Sequence, residues 1–95
     1  MRLSKILAGT RTLAVSGSSD VDIRGLSEDS RKVQKDFLFF ARKGGKSSGL
    51  DFVADAVSKG AAAVVSEERL GTLAVPAVTV PDLVRAQIDM SEVFY

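Results

Sequence analysis

The clearest pattern along the chain is a series of short apolar runs, each bounded by charge, glycine or proline. Phe37-Leu38-Phe39-Phe40-Ala41 is continuous, short and aromatic. That combination predicts a strand buried on both faces, and this run is the best candidate for a central strand. Ala61-Ala62-Ala63-Val64-Val65 and Ala77-Val78-Thr79-Val80 predict two further buried strands, separated by a polar stretch around residues 67–71. Between the first two runs, Phe52, Val53, Ala56 and Val57 recur at helical spacing, with Asp51 and Asp55 early and Lys59-Gly60 closing the segment. A helix between buried strands predicts a β-α-β layer. Pro81-Asp82 then opens a last helix whose Leu83, Ala86, Met90 and Val93 fall on one stripe.

The first third of the chain is less regular. Ser4 is expected to cap a short helix carrying Ile6 and Leu7, with Gly9 ending it. Residues 10–20 read as a short strand or extended piece followed by a turn, and Val21-Asp22-Ile23 alternates like an exposed strand. Residues 25–33 are polar and read as a loop with exposed side chains. The expected fold is α/β: a single small domain over residues 1–95, with a central mixed or parallel sheet flanked by helices. No capping glycine closes the last helix before Tyr95, so the chain is expected to be a fragment of something longer.

Composition narrows the chemistry. Ninety-five residues supply one core, burying a little over ~60% of the surface exposed by the unfolded chain. Thirteen basic and twelve acidic side chains leave a net charge of +1, which argues against a nucleic-acid binder working by phosphate neutralisation. There is no cysteine and no histidine, which removes disulfides, thiolate nucleophiles and imidazole chemistry, and nearly every structural zinc site. The apolar runs are too short to span a bilayer and Met1 to Leu7 is no signal peptide, so no membrane association and a cytoplasmic address are expected.

One stretch invites a nucleotide. Gly44-Gly45-Lys46-Ser47 follows the Phe-rich run directly, inside residues 42–49, which hold three glycines, two serines and three basic residues. A Walker A loop would need glycine at position 40, where this chain has Phe40. The stretch still offers unobstructed backbone N–H groups and a compact cation, which suit a diphosphate. Glycine-serine segments also serve as plain connections. Likewise Glu28-Asp29-Ser30-Arg31 is either a solvated turn, its side chains bonding nearby amides, or a binding loop. Lys35, Arg42 and Lys43 read as solubilising charges, and Phe37, Phe39 and Phe40 as core.

Leu-x-x-Asp-Ser-Arg-x-Val at residues 26–33, the Phe-rich run, the Gly-rich turn, Asp51-Phe52 and Lys59-Gly60-Ala61 together resemble the N-terminal domain of the Mur ligases of peptidoglycan synthesis. The likeness covers essentially the whole chain and is closest to the MurE type, with the MurF type second; the closing Phe94-Tyr95 resembles MurE. The chain departs from the family at Gln34-Lys35-Asp36, where Pro-Gly-Asp is usual, and at Ser48-Gly49, where Asp-Gly is usual.

The resemblance implies a domain that anchors the UDP end of a UDP-N-acetylmuramoyl-peptide. Its implied substrate-binding residues are Glu28, Ser30, Gly45, Lys46 and Ser47, with Asp29 and Arg31 as loop support. For the parent protein it implies ATP- and magnesium-dependent amide-bond formation with a diamino acid. It implies no catalytic residue, metal ligand or cofactor site in this segment, and the remaining ligase domains of the same chain as partners, with Phe94 and Tyr95 docking against the next one. A stand-alone module that binds a sugar nucleotide or a protein is the alternative of a different class.

Overall fold

A computed structural model describes residues 1–42, 52–71 and 73–95. The elements run α1 (Leu3–Leu7), β1 (Ala14–Ser16), β2 (Gly25–Ser27), a 3-10 turn (Ser30–Lys32), β3 (Phe37–Phe40), α2 (Val53–Ser58), β4 (Ala63–Ser66), β5 (Ala77–Thr79) and α3 (Leu83–Phe94). The strands form one sheet in the order β1-β5-β4-β3-β2. β2, β3, β4 and β5 pair in parallel, and β1 closes the far edge antiparallel to β5. The sheet is therefore mixed, with helices over both faces.

Strand alternation divides the Phe-rich run between two cores. Leu38 and Phe40 point into the layer built with Leu3 and Ile6 of α1 and Leu83, Ala86 and Met90 of α3. Phe39 and Ala41 point the other way, against Val33 and against Val53 and Ala56 of α2. All four residues of β4 are buried, as a strand covered on both faces requires. Burying a ring such as that of Phe39 contributes about 1.5–3 kcal/mol.

Both later helices end where the sequence signals place them. Asp82 caps α3, its Oδ1 accepting from the Arg85 amide at 3.1 Å. Glu67, just past β4, accepts from the Leu83 amide at 2.9 Å. α2 closes in a Schellman motif: the Gly60 amide donates to the Val57 carbonyl and the Ala61 amide to the Ala56 carbonyl, with Gly60 at φ +106°.

Three expectations for the first third of the chain need correction. Ser4 lies inside α1, whose N-cap is Arg2 without a side-chain bond. The free amides of Leu3 and Ser4 are instead satisfied by the carbonyls of Val21 and Ser19, so neighbouring backbone replaces the cap. Val21-Asp22-Ile23 forms only a single bridge, between Asp22 and Arg2, and Ile23 is fully buried. Residues 25–33 are not an open loop, because they contain edge strand β2, in register with β3 from Gly25 opposite Phe37. Gly25 makes that pairing possible: a Cβ there would lie 2.5 Å from the Phe37 ring.

Candidate functional site

β2 and β3 are parallel, so both deliver their chains to the same end of the sheet, the end at which ligands of open α/β sheets bind. Directly after β2, the Ser27 hydroxyl donates to the Asp29 carbonyl at 2.9 Å and accepts from the Asp29 amide at 3.1 Å, folding the chain back on itself. Asp29 then caps the 3-10 turn through its Oδ1, which accepts from the Arg31 amide at 3.0 Å. The Arg31 guanidinium grips the same carboxylate with Nε at 3.1 Å and Nη2 at 3.0 Å. This fork lowers the Asp29 pKa and raises that of Arg31.

Ser30 is turned inward and only 6% exposed. Its carbonyl accepts from the Lys59 ammonium at 3.3 Å. Lys59 also reaches Asp55 one helical turn back, at 2.9 Å. The Lys59 hydrogen bond is the main cause of a lowered Asp55 pKa, and a hydrogen bond from the Ser30 side chain adds to it. The end of α2 thereby pins the turn to the sheet.

Glu28 points outward between β3 and α3. Its Oε2 accepts from Arg42 Nη1 at 2.9 Å and from Gln87 Nε2 at 3.1 Å. The Gln87 bond is the largest single cause of its lowered pKa, and Arg42 lowers it further through its hydrogen bond and its charge. Arg42 is thus engaged with Glu28 rather than standing as a plain solubilising charge.

These residues surround a cleft of about 550 Å³, lined by Glu28, Asp29, Ser30, Arg31, Phe39, Arg42 and Phe52. Of the site residues expected from the sequence, Glu28, Asp29, Ser30 and Arg31 converge on it. Gly45, Lys46 and Ser47 lie outside the described residues. Arg42, Gln87 and Phe52, which also border this region, were not among the site residues expected from the sequence. Arg42 and Gln87 carry no local signal, since each acts through Glu28, 14 and 59 positions away in sequence respectively. Phe52, expected on the apolar stripe of α2 with Val53, Ala56 and Val57, is instead the N-cap residue of that helix and half-exposed. Another concavity of about 470 Å³, between α2 and Leu70, Leu73 and Ala74, has no charged side chain among the described residues of its wall to orient a polar ligand.

Phe40, at the position a Walker loop gives to glycine, is buried in β3, and among the described residues no group of three or more acids converges to hold a metal. No helix among the described residues is long and apolar enough to cross a membrane.

Comparison with known proteins agrees with this architecture. Residues 22–93 match the model of the Mur ligase family, catalytic domain. The UDP-N-acetylmuramoyl-L-alanyl-D-glutamate–2,6-diaminopimelate ligase of Gloeobacter violaceus is 40% identical over 97 aligned positions, covering 100% of this chain and 20% of that protein. Its counterpart in Cytophaga hutchinsonii is 43% identical over 68 residues, covering 72% of this chain and 14% of that protein. Among solved structures, MurF from Acinetobacter baumannii superposes with a TM-score of 0.79 at 20% identity, over 94% of this chain and 20% of that one. MurF of Thermotoga maritima in complex with ADP gives 0.63 at 25% identity, over 72% and 16%. The chain spans a fifth or less of the length of these proteins. A family match across most of its residues, and close relatives aligned along its whole length, make this chain a member of the Mur ligase family.

Proposed function

We propose that the chain is the substrate-anchoring N-terminal domain of a MurE-type ligase, holding the UDP end of UDP-N-acetylmuramoyl-dipeptide while other domains of the parent protein join a diamino acid to it. The observation that carries this reading is the cleft at the carboxyl ends of β2 and β3, with the contiguous residues 28–31 as one wall and Phe52 in the other. The full-length relatives named as diaminopimelate ligases favour the MurE type over the MurF type.

The chemistry of the cleft suits a uridine better than a triphosphate. Phe52 is 43% exposed and offers a face for the pyrimidine ring. The Ser30 hydroxyl can donate to or accept from the uracil edge, and the backbone at Glu28 lies beside it. Asp29 neutralises Arg31 and Glu28 neutralises Arg42, so the described walls carry little net positive charge. The diphosphate would draw its compensation from Lys46, with amides of Gly45 and Ser47 as donors. ATP and magnesium act in the parent's other domains, and the expected setting is the cytoplasm. Binding energy gained at the UDP end positions the distant reacting carboxylate without any catalytic group in this segment.

Calorimetric titration of the chain with UDP and with ATP tests this reading. UDP is expected to bind at least ~10-fold more tightly than ATP, with Lys46→Ala weakening UDP selectively, as loss of a charge-assisted contact would. Equal affinities, or no response to millimolar UDP, would overturn the anchoring role and favour a protein-interaction module.

A further inference from the structure

Glu28 and Arg42 belong to two cavities at once. On one side they line the 550 Å³ cleft; on the other they line a groove of about 450 Å³ along α3, beside Val84, Gln87 and Ile88. Arg42 stands at the carboxyl end of β3 with its side chain 52% exposed. Among the described residues it makes one contact, Nη1 to Glu28 Oε2. The same oxygen also accepts from Gln87 Nε2 at 3.1 Å. Glu28 therefore keeps a donor whether or not Arg42 remains on it.

We infer that Arg42 is an exchangeable anion ligand of the cleft, docked on Glu28 in the free protein and transferred to the diphosphate when a nucleoside diphosphate enters, with Gln87 retaining Glu28. This rests on the UDP-anchoring reading and adds to it a residue outside the Gly-rich stretch. The exchange is favourable because the existing pair is exposed, and such surface pairs are weak. A diphosphate offers more than one negative charge and accepts the guanidinium fork through two parallel bonds. Glu28 and Gln87 then serve as a parking place that keeps Arg42 at the mouth of the cleft without leaving a carboxylate unpartnered during the exchange.

The contribution of charge is separable from that of the nucleoside. Uridine, UMP and UDP are titrated into the parent chain and into Arg42→Leu, Arg42→Lys and Glu28→Gln, following heat and the Arg42 Nε–Hε resonance. Arg42→Leu should lose roughly tenfold in UDP affinity, as for a charge-assisted contact, and leave uridine unchanged. Arg42→Lys should recover part of the loss, because it restores the charge without the fork. Glu28→Gln, which removes the competing anion, should tighten UDP a few fold. The Arg42 resonance should shift with UDP and not with uridine. If the parent chain binds UDP and Arg42→Leu binds it equally well, Arg42 is no ligand and the anchoring reading stands. If Glu28→Gln weakens UDP as much as Arg42→Leu does, the pair is a fixed strut and the exchange is refuted. If the parent chain binds UDP no better than uridine, both the exchange and the anchoring of the diphosphate fail together.

Discussion

Replacing Gly60 by alanine tests the join between α2 and the cleft. Gly60 has φ +106°, a backbone conformation that strains any residue with a Cβ. That strain costs about 1–3 kcal/mol. A Cβ would also sit 2.8 Å from Lys35 Cα, which is backbone and can yield only by moving the turn before β3. Forced overpacking of this kind adds about 1–3 kcal/mol. The sum, roughly 2–6 kcal/mol, is a large share of the ~5–15 kcal/mol total typical of a domain. At about 4–8 °C per kcal/mol for a domain approaching 100 residues, the melting temperature should fall by at least ~8 °C. Gly71→Ala is the control, because Gly71 also has positive φ, +71°, yet nothing lies within 4 Å of its Cβ position. It should lose only the conformational part, about 1–2 kcal/mol. Thermal and urea unfolding followed by circular dichroism would compare the two. Equal losses would refute the close approach of Gly60 to Lys35 and, with it, the claim that this turn fixes Lys59 against Ser30.

Other consequences are smaller or more local. Met90→Ala, in the core between α1 and α3, should cost about 2–5 kcal/mol in urea unfolding, and a loss below 1 would mean that α3 is not packed as described. Asp82→Ala should cost about 1 kcal/mol by removing the α3 cap, with Asp82→Asn nearly neutral; equal costs would show that the cap contributes nothing. Glu28 and Asp29 titrate below their ordinary 4.5 and 3.8, owing first to the Gln87 and Arg31 hydrogen bonds respectively. The folded state therefore binds fewer protons than the unfolded one in that range. The stabilisation is complete above those ordinary values and is lost as pH falls through the lower folded ones. Gln87→Leu should move the Glu28 carboxyl titration up toward 4.5 in carbon-detected NMR, and an unmoved titration would remove Gln87 from the network.

How far the sequence could be read follows from what each feature depends on. The runs at Phe37, Ala61 and Ala77 revealed β3, β4 and β5 because strands buried on both faces need continuous apolar residues regardless of their neighbours. β2 escaped because it is an edge strand of three residues whose pairing depends on the ring of Phe37 lying over Gly25. The amides at the start of α1 looked as if they needed Ser4, yet a distant backbone segment supplies their partners. At the site, Asp29, Ser30 and Arg31 were legible as a polar cluster of turn-forming residues, whereas the inward turn of Ser30 follows from Lys59 and Asp55 on a helix more than twenty residues away. Arg42 and Gln87 acquire meaning only when α3 lies beside the end of β3.

The most direct measurement is an amide shift map of the isotopically labelled chain titrated with UDP, with ATP as the comparison ligand and Ser30→Ala and Lys46→Ala as controls. The account predicts shifts confined to residues 28–31, the Gly-rich residues 44–47 and the neighbourhood of Arg42 and Phe52, weakened by both substitutions and not reproduced by ATP. Shifts spread elsewhere, for instance along β1 or the outer face of α2, or an identical map with ATP, would contradict it.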